Sequence, residues 1–258
     1  MKEVLTCYRC DSIATTKEHV PPKCLFPEKK DIGEDKYRLH LMTVPSCEEH
    51  NNTKSDDDEF LMVSLAGILG NNSIGYIHSQ GKVLRAIRRS SYKLLKKVFL
   101  NSKNVKLEIE DNKFVDIIIG TPDVLRLKKS FEHIAYGIYY YHFNKRFDGI
   151  VKIFMDFIYY SKKNHQNYKD IIKEKVNFES KDKEKFGENK DVFYYQFLDK
   201  DEYGLLTLKL CFYGKVEVYA VFAQSNFELP GGMYLMNKLI DNGMKVIVKE
   251  DNKTYEFN

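Results

Sequence analysis

Two short pairs of metal-binding side chains near the start of this chain constrain its folding more than any other feature. Cys7-Tyr8-Arg9-Cys10 is a Cys-x-x-Cys knuckle, and Cys47-Glu48-Glu49-His50 repeats the same spacing after a gap of 36 residues. Three thiolates and one imidazole make a tetrahedral Cys3His set, the donor chemistry of structural zinc (Zn2+). The intervening residues are dense in Pro, His and charge and short of apolar periodicity. Burial alone would hold such a segment weakly, and a metal commonly makes up the difference. Two plainer readings compete: reduced cysteines that merely fall close together, and a redox dithiol. The second expects a thioredoxin-like strand and helix after Cys10, and none follows.

The remaining cysteines add little. There are five in all, an odd number for a disulfide framework, and four fall within the first 47 residues. Cys24 reads as a small buried hydrophobe. The chain has 258 residues, is 43% apolar and carries a net charge of +4. That is enough apolar material for a real core, and too little charge to mark a nucleic-acid binder by composition. With no apolar run of membrane-spanning length and no signal-peptide core, a cytoplasmic protein without membrane partners is expected.

Beyond residue 58 the patterning turns regular. Glu59–Ala66 reads as a helix with Asp56, Asp57 and Asp58 at its positive end, stopped by Gly70-Asn71-Asn72. Lys82–Leu100 shows a helical stripe, and Val105–Glu110 with Phe114–Ile119 reads as a hairpin. Thr121-Pro122-Asp123 has the chemistry of a helix start, with Thr121 as cap, and Leu125–Arg146 is the apolar helix that follows. Val151–Tyr159 reads as a strand, Asn164–Lys175 as a polar helix and Lys181–Asp191 as a charged, mobile loop. Val192–Leu198, Leu205–Tyr213 and Val216–Ala223 form an antiparallel meander, and residues 244–257 a last hairpin. The expected organisation is a metal-stapled module over residues 1–70 and an α+β domain with a mostly antiparallel sheet over 71–258.

Between the two ligand pairs lies Lys17-Glu18-His19-Val20-Pro21-Pro22. The combined pattern is Cys7-x-x-Cys10, Glu18-His19-x-x-Pro22 and Val44-Pro45-x-Cys47-x-x-His50-Asn51-x-x-Lys54. It resembles an HNH (ββα-metal) endonuclease over roughly the first quarter of the chain. What the resemblance implies is specific. Glu18 and Asn51 become ligands of one catalytic cation, Mg2+ or Mn2+, for which oxygen donors are suited. His19 becomes the general base that activates water, and Lys54 contacts a phosphate. The sequence departs from the family in having Glu rather than Asp before the base. Met42 stands near the position where Asn is common, with His40 two residues earlier, and His50 replaces a fourth Cys. The last change leaves open which of the two metals His50 serves.

Lys82–Lys97 carries seven basic residues and no acid. It is either a solvated helix face or a surface that binds a nucleic-acid backbone through Arg85, Arg88, Arg89 and Lys93. The aromatic run Phe131–His142 and the Tyr- and Phe-rich strands after residue 192 read as core. The resulting expectation is an endonuclease hydrolysing phosphodiester bonds in DNA, with RNA as the other nucleic-acid substrate, in a restriction or phage-defence setting. The alternatives are a zinc-stapled nucleic-acid-binding module without catalysis, and a protein-interaction domain. A second copy or another protein is a candidate partner.

Overall fold

A computed structural model describes residues 5–33, 36–52, 55–228, 231–250 and 253–258. The chain is α+β with antiparallel strand pairs and forms two compact units, Met1–Arg146 and Phe147–Asn258. The boundary expected near residue 70 is therefore not where the chain divides.

The first unit begins with strand β1 (Thr16–His19), which pairs antiparallel with β2 (Thr43–Ser46); Thr16 lies opposite Ser46 and Glu18 opposite Val44. A short helix, α1 (Lys29–Ile32), lies in the connection. Helix α2 (Glu48–Asn52) follows β2 directly, and α3 (Ser55–Ala66) has its three aspartates in the first turn, as the sequence implied. Asn71 ends α3 by donating its amide to the Leu65 carbonyl at 2.9 Å, and Asn72 then caps α4 (Ser73–His78).

The single helix expected over 82–100 is broken. A π turn at Ser79–Val83 leads into α5 (Leu84–Arg89), and α6 (Lys93–Val98) comes after a gap. Ser91 and Tyr92 between them have φ of 50° and 63°, in the left-handed region that a continuing helix cannot use. Ser90 stabilises the break: its hydroxyl donates to the Ile87 carbonyl at 2.8 Å and accepts from the Leu94 amide at 3.1 Å. Strands β3 (Phe99–Glu110) and β4 (Lys113–Pro122) then form the hairpin read from the sequence, turning at Asn112 with φ 60°. Thr121 and Pro122 belong to β4, so the cap of the next helix is Asp123, which accepts from the Arg126 amide at 3.1 Å.

That helix, α7 (Val124–Phe143), explains the size of the first unit. It buries Leu127, Phe131, Ile134, Ala135 and Ile138 along one stripe. The Arg126 guanidinium lies 4.3 Å from the Phe60 ring centroid and pairs with Asp57 at 2.6 Å, tying α7 to α3. At the middle of α7, Arg9 of the Cys-x-x-Cys knuckle stacks 3.6 Å from the Tyr136 ring centroid and pairs with Glu132 at 3.2 Å. Gly137 faces Val20, whose methyl groups occupy the space a side chain at 137 would need. The metal-stapled segment therefore borrows a core from α3 and α7 instead of standing alone.

The second unit is built on a four-stranded antiparallel sheet of β5 (Ile150–Met155), β8 (Val216–Ala223), β7 (Leu206–Phe212) and β6 (Phe193–Phe197), in that spatial order. The expected meander is present, with β5 added beside β8. Every residue of β7 is buried, including Lys209, which pairs with Glu217 at 2.7 Å. Helix α8 (Lys163–Glu179) contributes Val176 and Ile172 to a cluster with Tyr219, Leu198 and Phe154. Its start packs with α9 (Gly231–Asp241) and the hairpin β9 (Val246–Glu250) and β10 (Lys253–Phe257), around Phe257 and Tyr255. The charged loop after α8 is anchored, not free: Phe186 stacks on Tyr195 and exchanges backbone hydrogen bonds with it at 2.9 and 3.0 Å. Among the described residues, no helix is long and apolar enough to cross a membrane.

Candidate metal centre

The β1–β2 hairpin and α2 bring the two ligand pairs together. The first knuckle closes on itself through Cys7 N–H donating to Ser12 O at 2.8 Å, and it docks on β2 through Tyr8 N–H donating to Pro45 O at 2.9 Å. Cys47 follows the last residue of β2. The Asn51 amide donates to the Cys47 carbonyl at 3.1 Å, so this bond begins the helical turn that carries His50 back over Cys47.

The four donor atoms meet at one point. Cys10 Sγ lies 3.8 Å from Cys47 Sγ, and His50 Nδ1 lies 3.8, 3.6 and 3.2 Å from the sulfurs of Cys7, Cys10 and Cys47. All four fall within 4.8 Å of one another. A tetrahedral zinc with bonds of about 2.3 Å to sulfur and about 2.0 Å to nitrogen requires S···S edges of about 3.8 Å and S···N edges of about 3.5 Å. The donor set fits the ion, and Nδ1 is the nitrogen directed at it. His50 therefore groups with the three thiols. The Ser12 hydroxyl lowers the pKa of Cys10, which favours its thiolate, whereas burial raises that of Cys47. The ring of His133, on α7, meets the His50 ring edge-on at 6.4 Å between centroids.

A second group lies one residue away from these ligands. Strand alternation puts Thr16 and Glu18 on one face of β1 and His19 on the other. Glu18 is buried, at 8% exposure, yet its carboxylate is supplied with donors. Ser46 Oγ shares its one proton between Glu18 Oε2 at 3.4 Å and the Cys47 carbonyl at 3.3 Å, and the Tyr8 phenol also bonds Glu18. Burial and then the Glu18 charge hold the Tyr8 pKa well above its ordinary range, so the phenol remains a neutral donor. On the same side, Asn51 Nδ2 donates to Thr16 Oγ1 at 3.1 Å, and Thr16 Oγ1 donates to Ser46 O at 3.0 Å. Glu18 and Asn51 are thus joined through Thr16 and Ser46. His19 is half-buried; burial first, then Lys23, lowers its pKa against the opposing pull of Glu18, which favours the neutral imidazole.

Tyr8, Thr16 and Ser46 carry no motif of their own in the sequence. The available signal was position: Tyr8 follows Cys7, Ser46 precedes Cys47, and Thr16 is two residues before Glu18 and so shares its strand face.

The basic stretch behaves unevenly. Arg88, Arg89 and Lys93 are exposed. Arg85 is not available in the same way, because its guanidinium grips Asp31 at 2.5 and 2.9 Å and reaches Glu28 at 3.1 Å. Glu28 also faces Lys30, Arg38 and Lys82, and the Lys30 hydrogen bond leads in holding its pKa down at about 2. Cys24 is half-buried rather than fully buried; its thiol donates to the Asp58 carbonyl at 3.2 Å, and burial pushes its pKa up to about 12. Lys54 lies outside the described residues. No family model matches this chain, and no curated protein or solved structure matches it either.

Proposed function

We propose that the chain is a metal-dependent endonuclease of the HNH type, acting on phosphodiester bonds in DNA. The observation that carries the reading is the shared face of Glu18 and Asn51. A buried carboxylate on a strand and a carboxamide on the helix after the hairpin lie on one side, and each has a hydroxyl partner. The Cys3His set sits at the root of both elements and could hold a structural zinc. Glu18 and Asn51 offer oxygen donors to a hard divalent ion, which when bound neutralises charge on the scissile phosphate. His19, kept neutral by its surroundings, takes the proton of the attacking water. Exposed Arg88, Arg89 and Lys93 attract the phosphate backbone, and Lys54 belongs to the same proposal.

One feature favours a second reading. Glu18 is already engaged by Tyr8 and Ser46, and His19 faces the other side of β1. A nucleic-acid-binding module that keeps the zinc-stapled frame without turnover accounts for those facts. Plasmid nicking with Mg2+, Mn2+ or chelator separates the two. The endonuclease reading expects metal-dependent nicking that His19→Ala lowers by about two to four powers of ten. Nicking at the wild-type rate by His19→Ala refutes the assigned base, and no nicking with any divalent ion, alongside retained DNA binding, supports the binding module.

A further inference from the structure

We infer that Thr16 is a positioning residue that decides which end of the Asn51 side chain is presented to a cation. The inference rests on the assignment of Asn51 and Glu18 as ligands of a divalent ion.

The proton inventory of the hydroxyl decides its role. A threonine hydroxyl has a single proton to give and two lone pairs to receive. Thr16 Oγ1 gives its proton to the Ser46 carbonyl at 3.0 Å. Toward Asn51, 3.1 Å away, it can then only accept. An acceptor selects the amide NH2 and rejects the amide oxygen, whose lone pairs would face its own. The planar amide carries Nδ2 and Oδ1 on opposite arms of Cγ, so fixing Nδ2 on Thr16 turns Oδ1 away from it. A hard cation needs that oxygen, and an inverted amide would offer it two N–H donors instead. Thr16 does not itself need to touch the ion.

Neighbouring hydrogen bonds support an orienting role over a merely structural one. Thr16 is half-buried and stands opposite Ser46 in the hairpin. The Ser46 carbonyl also accepts from the Thr15 amide at 3.1 Å, so removing the Thr16 hydroxyl leaves it bonded. Valine has nearly the same shape as threonine and is favoured in strands, so Thr16→Val should fold. What it lacks is the acceptor that locks the amide. Ser46 and Tyr8 serve Glu18 in a parallel way, by donating to a carboxylate that has no wrong end. Only the amide has an orientation to lose, which singles out Thr16.

The test measures Mn2+ affinity of the full chain by calorimetry, with zinc content and melting temperature followed in parallel. Thr16→Val should weaken Mn2+ about 10- to 100-fold, the usual effect of losing a partner of a metal ligand. Thr16→Ser, which restores the hydroxyl, should bind like the wild type. In an Asn51→Asp background the effect of Thr16→Val should largely vanish, because either carboxylate oxygen can serve. All variants should keep their zinc. Unchanged Mn2+ affinity in Thr16→Val, with a loss in Asn51→Ala, would overturn the role of Thr16 and leave the endonuclease reading standing. An equal loss in the Asn51 and Asn51→Asp backgrounds would also overturn it, since the effect would not pass through amide orientation. Unchanged affinity in both Asn51→Ala and Glu18→Gln would remove the ligand assignment, and the inference with it.

Discussion

Replacing Gly137 with alanine tests how α7 supports the Glu18–His19 strand. A Cβ at this position would lie 2.7 and 2.8 Å from the two methyl carbons of Val20 and 3.3 Å from its Cβ. Val20 has little freedom to yield: it is 1% exposed, β-branched and held through its amide to the Met42 carbonyl at 3.0 Å. Two terms oppose each other. Alanine is better than glycine inside a helix by about 1 kcal/mol. Overpacking a tight core site costs about 1–3 kcal/mol. Approaches this close to a stiff side chain belong at the upper end, so the net change is a destabilisation of about 1–2 kcal/mol. For a unit of this size that lowers the melting temperature by about 2–8 °C. Trimming Val20 removes the obstructing carbons, so Gly137→Ala should be much less harmful, or helpful, in a Val20→Ala background. The double variant should exceed the sum of the singles by up to about 2–3 kcal/mol in a denaturant cycle, the overpacking cost that trimming Val20 relieves. A stabilised Gly137→Ala, or effects that add within about 0.5 kcal/mol, would show that α7 does not press on Val20.

Other perturbations separate the zinc, the acid response and the basic face. Elemental analysis should find one zinc per chain, absent from Cys10→Ser; acidification should release it as protons compete for the thiolates and imidazole, and zinc-free protein as purified would refute the site. His78 is fully buried, and burial, then Lys82, lowers its pKa from 6.5 to about 4. A depressed folded pKa contributes stability that is present above 6.5 and lost as pH falls toward about 4. The full loss is about 3 kcal/mol, and His78→Met should flatten the decline in melting temperature between about pH 7 and about pH 4.5; an unchanged slope refutes this source. Replacing Arg88, Arg89 and Lys93 with Gln should reduce the salt slope of DNA binding by up to about 0.9 for each phosphate no longer neutralised, and an unchanged slope would make this stretch a solvated face. Arg85→Gln, by contrast, should lower thermal stability, because it strands Asp31, and leave that slope alone.

The parts of the fold that were legible in the sequence are those whose physics is local. The hairpin turning at Asn112 and the strands of the meander follow from alternation and turn chemistry within a dozen residues. The Cys3His cluster was legible across a long gap because each pair carries its own spacing. What stayed hidden depends on partners distant in the chain. Nothing near residue 70 announces that Arg126 will stack on Phe60, or that Tyr136 will receive Arg9. Those pairings carry the first unit to Arg146. Arg85 reads as a free cation until Asp31, 54 positions earlier, is found against it. The break after Arg89 lies inside a stripe whose apolar spacing continues across it, so periodicity alone reads one helix there.

The candidate site shows the same division at finer scale. A motif names the residues that do chemistry and is silent about those that aim them, since aim is a property of hydrogen bonds and not of spacing. Glu18 and Asn51 could be named as ligands from resemblance, but whether a carboxamide offers oxygen or N–H depends on its neighbour. Here that neighbour is a threonine already committed to the Ser46 carbonyl. Likewise Tyr8 and Ser46 hold the Glu18 carboxylate from positions adjoining Cys7 and Cys47. A side chain next to a metal ligand inherits the rigidity of that ligand's backbone. The Tyr8 and Ser46 hydroxyls can therefore be placed as tightly as the Cys3His set itself, and Thr16 is held by its bond to the Ser46 carbonyl. On the proposed reading, the crowding of thiol, imidazole and amide in Cys47–Asn51 has a physical reason: a cluster that could hold a metal fixes the backbone, and the residues beside it, Tyr8, Ser46 and Asn51, use that backbone to place their polar groups.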